Sequence, residues 1–332
     1  MGFPRRCPVT DAGFDLTDAR VWVAGHRGMV GSAIVRRLAV EPVAQVLTAG
    51  SDRLDLRAQD ATHAWVADQQ PDVAIIAAAK VGGIHANRSA QGEFLYDNLL
   101  IAANTIEACR QADVTKVVVL GSSCIYPREA PQPMREDHLL TGPLEPTNEG
   151  YAIAKIAALE LTKMYRRQYG TDAISLMPTN LYGPNDIFDL TGSHVLPALL
   201  RKIHDAKLAD QAEVEVWGTG TPRREFLHVD DLADATIFAL RHYSHEQHLN
   251  VGTGTDVSIR ELAELIAEVV GWDGEFVFDP SMPDGTPRKL LDVSRFTTLG
   301  WTARTGLREG IAATYRWFLH HQDEARGVGV SS

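Results

Sequence analysis

Tyr151 and Lys155, four residues apart in the run YAIAK, are the pair in this chain with the plainest chemical meaning. On a helix, positions i and i+4 lie on one face, so an ammonium would stand beside a phenol. A free phenol, with a pKa of about 10, exchanges protons poorly near neutrality, and a neighbouring positive charge lowers that value. Such a pair suits proton transfer at an oxygen that is being oxidised or reduced. Ser122, in GSSCIYP, ends an apolar run and can donate a hydrogen bond to the same oxygen. Two residues further is Cys124; alternate side chains of an extended strand share a face, which would turn Cys124 toward whatever Ser122 faces. Taken alone, Cys124 is either a small apolar filler or a thiol presented to a pocket. His194, just ahead of a predicted helix, is either a helix-start residue bonded to backbone or an imidazole that titrates near working pH.

A second group of residues suits phosphate. GHRGMVG places Gly25, Gly28 and Gly31 at three-residue spacing, between the apolar run VWVAG and a segment whose Val30, Ile34, Val35 and Leu38 recur at helical spacing. Glycine permits the tight turn and lets backbone N–H groups approach a pyrophosphate at the helix N-terminus. The spacing is G-x-x-G-x-x-G rather than the familiar G-x-G-x-x-G, so the strand-to-helix context carries the reading. The next strand ends LTAGSDR, with no carboxylate from Thr48 to Ser51 to accept from NAD ribose hydroxyls. Arg27 can meet a 2′-phosphate, and Asp52 and Arg53 lie just beyond, so the residues lean to NADP without excluding NAD. Asp55 and Leu56 are expected beside the adenine.

The elements that must position these groups alternate. Apolar runs at 21–25, 43–49, 72–79, 116–126 and 172–180 have strand length and no polar alternation, as strands buried on both faces do. Helical patterns at about 57–69, 93–112 and 147–169 separate them, which is the rhythm of a doubly wound α/β parallel sheet. Beyond residue 180 the pattern loosens into loops, short strands and helices near 195–207, 258–270 and 305–320. The expected organisation is a flexible lead-in over 1–20, a cofactor domain over 21–180 to which 226–250 returns, a smaller irregular lobe over 181–225 and 251–325, and a tail over 326–332.

Composition narrows the function classes. With 32 basic and 43 acidic residues the net charge is −11, which argues against a nucleic-acid partner. No apolar run approaches the roughly 20 residues of a membrane span, and the opening residues fit no export signal, so a cytoplasmic protein is expected. Three scattered cysteines, Cys7, Cys109 and Cys124, do not make a disulfide framework, and no metal site is expected.

The glycine loop, LGSSCIYP and YAIAK together resemble the extended short-chain dehydrogenase/reductase family, whose members act on nucleotide sugars. AAAKVGGI, LEPTNEGYAIAKIA, MPTNLYGP, VWGTGTPRREFLHVDD, NVGTG and PDGTPRKLLDVSR are similar to the branch that epimerises and reduces GDP-4-keto-6-deoxy sugars, and the likeness runs from about residue 20 to 325. The resemblance implies a Rossmann-type sheet with a C-terminal substrate-binding lobe, an NADP(H) cofactor, a homodimer, and conversion of GDP-4-keto-6-deoxy-D-mannose to GDP-L-fucose. It implies Ser122, Tyr151 and Lys155 as the reductive machinery and Cys124 with His194 as the acid–base pair inverting C3 and C5. A 4-keto sugar makes the hydrogens on both flanking carbons acidic, and a thiol lowered by a nearby cation can remove them. It further implies cofactor contacts from Gly25, His26, Arg27, Gly28, Met29, Val30 and Gly31, from Ser51 to Arg53, and from Leu120, Gly121, Ser122 and Lys155. Pro178, Thr179, Asn180, Leu181 and His194 complete that set. Lys202, Trp217, Arg224 and Asp284 are implied to hold the substrate's nucleotide, with Arg223 and Arg288 as further cations.

Departures from the pattern, Ser51 at a position often basic and Ile187 and Leu190 in the loop before His194, leave room for a related GDP-4-keto-6-deoxy sugar or heptose. A nucleotide-sugar 4-epimerase needs no thiol and imidazole. A non-catalytic NADP-binding protein would have lost Ser122, Tyr151 or Lys155, and all three are present.

Overall fold

The computed structural model describes residues 13–190, 192–282, 284–322 and 325–328. Its first half runs β1 (Arg20–Ala24), α1 (Met29–Leu38), β2 (Gln45–Leu47), α2 (Gln59–Gln69), β3 (Val73–Ile76), α3 (Ile84–Ser89), α4 (Gln91–Gln111), β4 (Lys116–Leu120), α5 (Glu149–Tyr169) and β5 (Asp172–Pro178). The second half continues with β6 (Asn180–Tyr182), α6 (Val195–Leu208), β7 (Glu213–Trp217), β8 (Arg223–Arg224), β9 (Phe226–His228), α7 (Val229–His242) and β10 (Leu249–Val251). It closes with β11 (Val257–Ser258), α8 (Ile259–Val270), β12 (Glu275–Asp279), β13 (Arg288–Lys289), α9 (Ser294–Thr298) and α10 (Leu307–His320).

Six strands form one parallel sheet in the order β10–β5–β4–β3–β1–β2. Strand order reverses between β1 and β3, and it is at the carboxyl ends beside such a reversal that open α/β sheets bind ligands. The apolar runs make these strands because each has two faces to bury. Val21 and Val23 of β1 enter the core shared with α1 and α7, while Trp22 and Ala24 point to the opposite core with Ile106 and Cys109 of α4. Each large side chain buried this way contributes roughly 1.5–3 kcal/mol.

A separate apolar core lies under the later elements, where Leu196, Leu199, Leu200 and Ile203 of α6 meet Leu262, Ile266 and Val270 of α8 and Phe318 of α10. Local signals fix α8: Ser258 and Glu261 cap its start reciprocally, and Gly271 ends it at φ +74°. The segment that crosses back to the sheet holds a helix the sequence pattern left unassigned, α7, which packs on α1 before β10 pairs with β5.

Three expectations need correction. Residues 13–19 are packed rather than loose: Leu16 is fully buried and Phe14 N–H donates to the Leu240 carbonyl (3.4 Å), because the segment covers the end of α7. Cys7 and the rest of 1–12 lie outside the described residues. Phe296 and Trp301, expected in the smaller lobe, join the main core, stacked on each other at 4.9 Å, with the Trp301 indole donating to Asp234 (3.0 Å). The fourth strand stops at Leu120 rather than Tyr126, since Ser122 turns the chain into a single 3₁₀ turn over Ser123–Ile125.

Candidate active site

The glycine loop leaves β1 at Gly25, whose φ of +87° suits glycine, and enters α1 at Met29. A β-carbon on Gly31 would lie 2.1 Å from the Gly25 carbonyl oxygen, so helix and loop touch backbone to backbone. Gly28 caps α1 without a side chain, and the first turn carries no acidic residue. Its first residues, Met29, Val30 and Gly31, line the cavity, where a helix N-terminus offers backbone N–H groups to a phosphate. That cavity, of about 690 Å³, is lined by Gly25–Gly31, Ser51, Leu56, Leu120–Ser122, Lys155, Pro178–Leu181 and His194. The residues present fit a dinucleotide.

Asp52, Arg53 and Asp55 are not in that lining. Asp52 instead pairs with Arg27 at 2.7 Å, laying the guanidinium across Gly50, and Asp55 pairs with Arg57 at 2.9 Å. That side of the cavity is bordered by Leu56 and Arg57 rather than by the Asp55 carboxylate.

A second cavity of about 330 Å³ shares Ser122, Tyr151, Asn180 and His194 with the first and adds Cys124, Lys202, Trp217, Arg224 and Asp284. The sequence argument for Cys124 reached the right wall by the wrong route. Cys124 is not two residues along a strand from Ser122; it sits on the turn that Ser122 caps, its N–H donating to the Ser122 hydroxyl at 3.4 Å. Although only 7% exposed, Cys124 belongs to none of the apolar clusters, whereas Cys109 is fully buried among Ile106, Val117 and Leu54. Burial raises the Cys124 thiol above its ordinary value, and the Ser122 hydroxyl, Lys289 and Lys155 oppose that rise.

Tyr151 and Lys155 lie on the first two turns of α5 with the ammonium 5.6 Å from the ring centroid. Lys155 Nζ donates to the Leu120 carbonyl at 2.9 Å, and burial lowers the ammonium to about 8. The expected lowering of the phenol is absent: burial raises Tyr151, and the nearby Cys124 adds to the rise. Burial disfavours the charged phenolate, so the phenol keeps its proton.

His194 stands at the N-cap of α6 without capping it, and burial lowers its imidazole, leaving a neutral ring at neutral pH. Its loop is held from several sides: Gly83 N–H donates to the Gly192 carbonyl (2.9 Å), Phe188 N–H to the Arg326 carbonyl (2.8 Å), and the Asn185 amide to Ser32 (3.0 Å).

At the outer end of the second cavity Lys202 Nζ lies 5.2 Å over the Trp217 ring, itself 43% exposed, so neither is simple packing. Arg224 pairs with neither Glu225 nor Asp230; its guanidinium donates to the Arg223 carbonyl (2.9 Å). Asp284 accepts from Thr219 N–H and hydroxyl (2.7 and 2.9 Å). Arg223 and Arg288 both pair with Asp256 and lie outside the cavity lining.

Sequence reasoning missed several lining groups. Asp186, buried and raised to about 7, and Arg326 border the larger cavity from a loop and from the chain's end, neither of which has a motif. Asn87, Glu145 and Lys289 border the smaller one. Lys289 had one signal, its place in PDGTPRKLLDVSR beside the already suspected Arg288.

Comparison with known proteins agrees with this geometry. The NAD dependent epimerase/dehydratase family model matches residues 21–252. A GDP-L-fucose synthase of Sinorhizobium fredii is 53% identical over 92% of this chain and 96% of its own length. Among solved structures, a GDP-L-fucose synthetase from Naegleria fowleri bound to NADP superposes with a TM-score of 0.87 at 28% identity, covering 96% of this chain and 99% of that one. A GDP-6-OMe-4-keto-L-xylo-heptose reductase from C. jejuni does so with a TM-score of 0.87 at 34% identity, over 93% and 99%. A nucleotide crevice at the sheet's switch point, a Ser–Tyr–Lys set at its mouth and a match spanning most of the sequence together make this chain a member of the NAD dependent epimerase/dehydratase family.

Proposed function

We propose that this protein converts GDP-4-keto-6-deoxy-D-mannose to GDP-L-fucose, inverting C3 and C5 and then reducing the C4 ketone with NADPH. The observation that carries this reading is that one cavity wall presents a thiol, an imidazole, a phenol and a serine hydroxyl, with cations at its outer end. Relatives named as GDP-L-fucose synthases support the substrate.

The ketone acidifies the hydrogens on both flanking carbons, because charge left at either carbon spreads onto the carbonyl oxygen. Cys124, once ionised, removes the proton, and His194, once it has itself taken up a proton, returns one from a different element of the fold, so the carbon can be reprotonated on its other face. Ser122 donates to the carbonyl oxygen and holds it. Bound NADPH supplies the hydride that reduces C4. Tyr151, which burial keeps protonated, gives its proton to the oxygen as negative charge develops there. Lys155, anchored on the Leu120 carbonyl and 5.6 Å from the phenol ring, would hold the cofactor ribose.

Lys202 and Arg224 suit the substrate pyrophosphate, Trp217 an aromatic face for the base, and Asp284 with Thr219 the ribose hydroxyls. For the cofactor, Arg27 and Ser51 at the cavity rim suit a 2′-phosphate. Leu190, 41% exposed on the sugar cavity, favours a second reading in which a bulkier or less polar GDP-4-keto heptose is taken.

The active form is a homodimer: α4 and α5 pack side by side and expose Tyr96, Ile153 and Met164. The free thiols Cys109 and Cys124 suit a reducing cytoplasm, which cell fractionation would check.

The test is turnover of GDP-4-keto-6-deoxy-D-mannose with NADPH in deuterated water. The expected product is GDP-L-fucose with deuterium at C3 and C5 and none at C4. A reduced product carrying no deuterium and the original configuration at both centres would overturn the epimerase half.

A further inference from the structure

We propose that Lys289 is the counter-cation of the Cys124 thiolate, and that it makes this buried sulfur usable as a base. The inference rests on the reading of Cys124 as the epimerisation base and adds the group that lets it ionise.

Both residues line the smaller cavity, from elements far apart in the chain. Cys124 lies on the turn after β4. Lys289 ends β13, which runs parallel to β8 with Lys289 opposite Arg224. That strand is held firmly: Glu225 N–H donates to the Lys289 carbonyl (3.3 Å), Leu290 N–H donates to the Gln132 side chain (2.9 Å), and Leu291 N–H donates to the Glu225 carboxylate (3.0 Å). The backbone at Lys289 is therefore fixed on both sides.

Thiolate formation in this cavity needs a positive charge, since burial alone pushes the thiol the other way. The charged and titratable groups that share the cavity with the sulfur are Glu145, Tyr151, His194, Lys202, Arg224, Asp284 and Lys289, and Lys155 lies one turn beyond Tyr151 on α5. Lys155 is already committed to the Leu120 carbonyl. Lys202 is drawn away to Trp217 and the Glu215 carbonyl (3.4 Å), and Arg224 to the Arg223 carbonyl. Among the described residues nothing accepts a hydrogen bond from Lys289 and no carboxylate pairs with it within ion-pair distance. Burial lowers the Lys289 ammonium and Arg224 adds to that fall, while the charge of Cys124 and, less strongly, the Glu145 carboxylate oppose it. An ammonium with no carboxylate within ion-pair distance and a buried thiol that belongs to no apolar cluster thus line the same cavity.

In the step itself the C–H bond breaks toward sulfur, its electron pair passes into the enolate, and the ammonium stays protonated throughout. Lys289 is thus a positioning and tuning residue; it touches no reacting carbon.

The experiment uses the full-length protein without substrate. The rate of Cys124 alkylation by iodoacetamide, resolved by peptide mass spectrometry, is followed across pH values bracketing the ordinary thiol pKa of about 8.5. Thiolate ultraviolet absorbance, taken as the difference from Cys124→Ser, gives the same midpoint without a reagent. Lys289→Met should move the midpoint upward by about one unit and slow alkylation at neutral pH about tenfold, while Lys289→Arg should keep it near the original. An unmoved midpoint in Lys289→Met, with only a raised KM for the nucleotide sugar, would overturn the proposal and make Lys289 a phosphate ligand. The two readings fail separately. Epimerised product from Cys124→Ser at the original rate removes the thiol's role even if Lys289 tunes it, and an unmoved midpoint removes the tuning even if Cys124→Ser is inactive.

Discussion

Lys155 is the residue whose titration should be visible in the working enzyme. Burial lowers its ammonium from above 10 to about 8 in the unliganded protein. A lysine so lowered is charged below that value and loses its charge as pH rises through it. If the ammonium holds the cofactor ribose, kcat/KM for NADPH should be level below about pH 8 and fall above it. Lys155→Met should show a lower value that no longer bends there, and a bend of the same shape in that variant would assign the titration to another group. Tyr151 is the instructive contrast. Its spacing from Lys155 was legible, but its acidity was not, because i,i+4 spacing says nothing about how much protein covers the ring.

At the scale of elements, the glycine loop and α1 are a single unit. Any β-carbon on Gly31 meets the Gly25 carbonyl well inside contact distance, so Gly31→Ala must push α1 off the loop. The expected result is at least a tenfold loss in NADPH affinity by fluorescence titration, with stability lowered by about 1–3 kcal/mol. Unchanged affinity would mean that the helix N-terminus does not hold the phosphates.

Most of this layer could be read from the chain. Apolar runs without alternation became the parallel strands, and the strand-to-helix glycine loop became the wall of the larger cavity. What escaped were features set by other segments. Where β4 stops depends on one hydroxyl, Ser122, capping the next turn. Asp52 is paired with Arg27 of the glycine loop, 25 residues away, and lies outside the lining of the larger cavity. Lys289 and Cys124 are brought to one wall by the register of β13 on β8, which no local pattern encodes.

The molecule as a whole sets apolar cores on both faces of the sheet and under the later elements around a pair of cavities that share lining residues, one suited to a dinucleotide and the other to a nucleotide sugar. Ser122, Tyr151 and His194 line both cavities, as the proposed use of one carbonyl for both halves of the chemistry requires. The same scale governs assembly. If the exposed apolar side chains of α4 and α5 meet a second copy, Ile153→Lys combined with Met164→Lys should halve the mass seen by light scattering. A dimer surviving both changes would place the interface elsewhere.

The central claim is a division of labour within one cavity, with thiol and imidazole serving the flanking carbons and phenol serving the carbonyl oxygen. It is tested most directly by determining the product that Cys124→Ser makes from GDP-4-keto-6-deoxy-D-mannose and NADPH, by mass and NMR stereochemistry. The account predicts that NADPH is still consumed while GDP-L-fucose formation falls by a factor of about 10²–10⁴, leaving a reduced sugar with its original configuration at C3 and C5. GDP-L-fucose formed at the unaltered rate would contradict it.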